Sequence, residues 1–263
     1  MRPNTPHFVL TPESAICHGG HFYAMSTIRD TIFGMYHMFA ASQTITNTEH
    51  TKDAFTLLQQ MVVYMHYILV QGKSRSTEQH SPHVPDVSTF EGALDFFMLC
   101  VVMELGDLLN PLAYKKKARR DRDRDHWNRL CTIHSRGLAR ELREWWRGCY
   151  MFIDPETADL VDGERVFNDI FSQHTNVLIA YKSLAEEKDI VGEVEECTAA
   201  ALEKLVKQYF PLVLTPGHRK STFEWLGKRY AIWSKISTFK PPRKHPSYVN
   251  CVLLTVKMKA RMS

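Results

Sequence analysis

No stretch of these 263 residues stays apolar for the roughly 18–20 positions that a membrane-crossing helix needs. The two best runs are 57–70, interrupted by Gln59, Gln60 and His66, and 96–103, closed by Glu104. No membrane anchor is therefore expected. The six cysteines (Cys17, Cys100, Cys131, Cys149, Cys197 and Cys251) are widely spread and never form C-x-x-C. That leaves no zinc ribbon and no dithiol redox motif, and reads as reduced, mostly buried thiols of an intracellular protein. The opening residues enter a strand pattern without a secretory leader, so nucleus or cytoplasm is expected. P-loop, Rossmann-glycine, G-x-S-x-G and zinc-finger patterns are missing too, as is any internal repeat. None of the thirteen histidines has Asp or Glu two positions later.

What is present is enough for a buried core. A chain of 30.5 kDa with 44% hydrophobic and 11% aromatic residues is globular rather than disordered, with one or two domains. Helical periodicity dominates after Tyr23. Ser26 or Thr27 can cap a helix reaching about Ala41, with the stripe Ile28, Ile32, Met35, Tyr36 and Phe39. A second helix, 51–71, carries Phe55, Leu58, Met61, Val62, Met65 and Leu69 on one side and stops at Gly72. Residues 73–87, with Pro82 and Pro85, read as a loop. Ser88 or Thr89 then caps a helix to about Leu109. Being apolar nearly all round, it belongs at the centre of a bundle.

A long helix to Cys149 follows, with the stripe Trp127, Leu130, Cys131, His134, Leu138, Leu142, Trp145 and Cys149 facing in, and Arg140, Arg143 and Glu144 in water. Asp162 caps the next helix, and an acidic helix is expected over 191–209. Residues 222–233 read as one more helix, and 252–256 as a late strand. A Met-rich stripe at such spacing is far more often core than a ligand box.

Charge is uneven although the net is only +4. Residues 154–203 hold thirteen Asp/Glu against Arg165, Lys182 and Lys188, while 217–263 hold eleven Lys/Arg against Glu224. The two segments either neutralise each other or leave a basic tail for an acidic partner. Residues 114–126 are the other charged feature: Lys115, Lys116, Lys117, Arg119, Arg120, Arg122 and Arg124 stand among Asp121, Asp123 and Asp125. Basic blocks serve nuclear import or phosphate binding. The interleaved acids cancel much of this charge, and no aromatic is interleaved for base stacking, so nucleic acid is disfavoured. A solvated helix start is the plainer reading.

The opening 23 residues, MRPNTPHFVLTPESAICHGGHFY, carry the remaining pattern. A short strand with His7 ends on Thr11-Pro12; a turn follows; a second strand closes on Gly19-Gly20. His18 and His21 would fall on opposite faces of a strand and make a poor metal pair. His7, Val9-Leu10-Thr11-Pro12 and Gly19-Gly20-His21-Phe22 together resemble the last two core strands of a JmjC domain, the double-stranded β-helix (cupin-like jelly roll) of Fe(II)- and 2-oxoglutarate-dependent oxygenases, with a histone lysine demethylase-like, fungal-type wording. The match covers under a tenth of the chain.

The resemblance implies that His7 is the third ligand of a two-histidine, one-carboxylate triad. It assigns Gly19, Gly20 and His21 to the pocket around the metal; the family often has Asn at the place of His21. It implies Fe(II) and 2-oxoglutarate as cofactors and methylated lysine of a histone or other chromatin protein as substrate. The other two ligands and the keto-acid site lie upstream in the family, so neither cofactor is expected to bind this fragment alone. Its natural partners would be the missing N-terminal strands of the domain.

The expected architecture is therefore mainly α. It is a helical bundle with one N-terminal β-hairpin as the remnant of a jelly roll. The expected divisions are 1–23 (JmjC-like strands), 24–110 (helices following them), 111–245 (C-terminal helices) and 246–263 (basic tail). An isolated hairpin is marginal, so Phe8, Leu10, Ile16 and Phe22 call for further strands or for docking on the helices. The alternative function is a non-catalytic helical module that binds an acidic or chromatin partner through its basic segments.

Overall fold

The computed structural model describes residues 12–13, 24–41, 51–73, 83–110, 113–114, 122–190, 196–211 and 231–234. It is mainly helical. Six α-helices, α1 (Ile28–Ala41), α2 (Thr51–Leu69), α3 (Phe90–Glu104), α4 (Arg122–Cys149), α5 (Gly163–Glu187) and α6 (Ala199–Tyr209), accompany a small sheet of β1 (Tyr150–Ile153), β2 (Leu160–Val161) and β3 (Ala231–Ser234) among the described residues. The strand order is β2-β1-β3, antiparallel throughout, with Phe152 opposite Val161 on one side and Ile232 on the other. The expected N-terminal hairpin over 1–23 lies outside the described residues, except for positions 12 and 13.

α3 is the axis of the bundle and packs against α1, α2, α4 and α5. Thirteen of its fifteen residues are buried, as its all-round apolar sequence requires. The cap is Thr89, whose side-chain oxygen accepts from the Gly92 amide at 3.2 Å. Just upstream, Asp86 Oδ1 accepts from the Ser88 amide at 3.1 Å. Gly92 is needed here because a Cβ at this position would overlap the Asp86 carbonyl. α5 is capped by Asp162 as its sequence indicates, and α6 by Thr198. α6 begins later than periodicity suggests, because Thr198 offers a cap at the start of the Ala199–Ala201 run.

The core is richly aromatic. Trp146 is fully buried, with its ring 5.1 Å from Phe97 and 4.8 Å from Phe152. Its indole N–H donates to the Val87 carbonyl at 3.1 Å, so the one polar atom of this side chain is satisfied. Phe167 closes the cluster 6.2 Å from Phe97. β1 leaves α4 directly and thereby carries Phe152 under Trp146.

Two expectations are corrected. The inward face of α4 is rotated from the stripe expected of it: Thr132, Ser135, Leu138, Ala139, Leu142, Arg143, Trp146 and Cys149 are buried, whereas Leu130 and Cys131 are exposed. Trp146, not Trp145, fills the core, because the helix is clasped by α2, α3 and α5 and its contact face is wider than one stripe. Arg143, expected in water, is buried among acidic partners. The second correction concerns 231–233, read as the end of a helix. These residues form β3, because an apolar four-residue β1 needs a second hydrogen-bonding partner and a non-local ladder overrides local propensity.

Candidate functional site

The residues singled out from the sequence are placed unevenly. His7, Gly19, Gly20, His21, Lys115, Lys116, Lys117, Arg119 and Arg120 lie outside the described residues. Arg122 and Arg124 fall in the first turn of α4, where the helix is described but its side chains are not. Among the described residues no group of three or more His, Cys, Asp or Glu is placed to hold a metal.

The best-built polar site is one that periodicity alone did not reveal. Glu104, in the last turn of α3, is buried and surrounded by one face of α4. Arg136, Arg140, Arg143 and Arg147 recur at helical spacing along that face. Glu104 Oε1 accepts from Arg140 Nε at 2.9 Å and from Arg143 Nη2 at 3.3 Å. Oε2 accepts from Arg136 Nε and from Arg140 Nη2, each at 3.2 Å. The row extends outward through Arg136 to Asp107 at 2.6 Å, Arg143 to Glu164 at 3.0 Å, and Arg147 to Asp162 at 2.8–2.9 Å. The Arg143 guanidinium carbon also lies 3.7 Å from the centre of the Phe167 ring, a cation–π contact.

This row joins three elements: Glu104 and Asp107 belong to the α3 end, the arginines to α4, and Asp162 and Glu164 to the start of α5. Burial opposes ionisation of Glu104, but the hydrogen bonds and charge of Arg140, with Arg136 and Arg143, outweigh it and hold the carboxyl below its ordinary range. Glu104 raises Arg140 in turn through the same hydrogen bonds. A carboxylate held as an anion among guanidiniums neither gives nor takes a proton near neutrality. The nearby thiol of Cys100 is pushed up to about 12 by burial and is no nucleophile. The arrangement is chemically a lock between helices.

Two further polar clusters tie the bundle. Between α2 and α4, His66 Nε2 lies 2.7 Å from Glu141 Oε2, and Gln71 Nε2 lies 3.4 Å from His66 Nδ1. With the Gln71 amide donating to Nδ1, His66 presents its Nε2–H to the carboxylate. His134 stands nearby; burial lowers its pKa, Glu141 opposes that and His66 adds to it. Between α1 and α3, Arg29 Nε meets Asp95 Oδ1 at 2.8 Å and Arg29 Nη2 meets Glu91 at 2.7 Å. Burial raises Asp95 to about 6 even against the pull of Arg29.

Between α1 and α5 the chain buries His174 beside Tyr36 and Phe33, with ring centroids 5.6 and 5.3 Å away. Among the described residues, neither the Tyr36 hydroxyl nor His174 Nδ1 has a hydrogen-bond partner. Lys182 is buried as well and donates to the Ala40 carbonyl at 3.3 Å, placing a cation on the last turn of α1.

The Glu104 site was missed because an arginine row on a helix reads as a solvated face. The usable signal was the single acid closing the apolar run of α3. Compared with family models, with curated proteins and with solved structures, the chain matches none of them. No helix among the described residues is long and apolar enough to cross a membrane.

Proposed function

We propose that this chain is the C-terminal part of a JmjC-type Fe(II)- and 2-oxoglutarate-dependent oxygenase, histone lysine demethylase-like. In this reading α1–α6 are a non-catalytic bundle that braces the closing strands of the jelly roll. The observation that carries it is the joint occurrence of His7, Val9-Leu10-Thr11-Pro12 and Gly19-Gly20 at the family's spacing, directly before a helical body. The inert chemistry of the Glu104 site supports a bracing role for that body. His7 would supply one iron ligand, with Gly19, Gly20 and His21 beside it; an H-x-D/E pair on an upstream segment would supply the other two. Fe(II), 2-oxoglutarate and O2, if bound there, would supply the oxidising chemistry for N-methyl groups: O2 would oxidise both the keto acid, which loses CO2, and the methyl group, which would be released as formaldehyde.

The test is to express the chain with any in-frame upstream sequence that encodes H-x-D/E. Fe(II) binding and 2-oxoglutarate turnover on methyl-lysine peptides are then measured, with and without His7→Ala. Turnover abolished by His7→Ala is the expected result. Full activity of the substituted protein would remove the assignment.

A second reading, a helical module for an acidic or chromatin partner, is favoured by the basic run 115–124 leading into α4, whose neighbouring Leu130 and Ile133 are exposed. It predicts salt-sensitive association without any metal. Association unchanged after neutralising both this run and the basic tail would exclude it.

A further inference from the structure

We draw no further inference here: the strongest candidate, the exposed apolar face of α4 around Leu130 and Ile133, carries nothing because nothing in the structure shows what covers it.

Discussion

Arg143 donates to Glu104 at 3.3 Å, and neither side chain is more than a tenth exposed. A buried ion pair of this kind adds little over an apolar pair of the same shape, but breaking it is costly, because the surviving charge stays buried. Glu104→Gln is therefore expected to remove about 3–5 kcal/mol of stability, since it deprives Arg136, Arg140 and Arg143 of their common anion. Urea denaturation followed by tryptophan fluorescence measures it. A loss below about 1 kcal/mol, the range of a surface ion pair, would show that the network is not holding α3, α4 and α5 together.

His174 links acid conditions to the α1–α5 contact. Burial lowers its pKa to about 4, whereas the unfolded chain titrates near the ordinary value of 6.5. Between these two values the unfolded state binds more protons, so stability falls as pH drops from 6.5 towards 4 and loses no more from this group below that. The loss across the window is up to roughly 3 kcal/mol. His174→Leu removes this titration, so its stability should depend less steeply on pH across that window. Parallel profiles for the two proteins would mean that His174 is hydrated in solution.

Gly92 and Gly137 give the same substitution opposite signs. At Gly92 a Cβ would strike the Asp86 carbonyl, which is backbone and cannot rotate away. Gly92→Ala is expected to cost about 1–3 kcal/mol, by displacing the loop that caps α3. Thermal unfolding gives the answer directly, and an unchanged midpoint would mean that the loop shifts freely.

Gly137→Ala adds its methyl where no atom of the described residues lies within 4 Å, and reduces the freedom of the unfolded chain. It should stabilise the protein by about 0.5–1 kcal/mol. Urea denaturation of the two proteins side by side measures it. Destabilisation would point to a neighbour inside the same chain.

The sequence by itself determined that the chain is mainly helical, where α1, α2 and α3 run, that α3 is central, and that Ser88 or Thr89, and then Asp162, start helices. Each of these rests on short-range physics. Apolar spacing selects a helix face, a small polar side chain accepts the first free amides, and an apolar run must be surrounded. The three-stranded sheet was decided only in three dimensions, because β3 joins β1 across some eighty positions and its ladder outweighs the helical preference of its own residues. The direction in which α4 turns was likewise tertiary. Trp145 and Trp146 are adjacent and chemically alike, and only the cleft between Phe97 and Phe152 selects Trp146. Arg143 follows the same logic: a guanidinium reads as a solvent group until a buried carboxylate thirty-nine positions earlier is brought beside it.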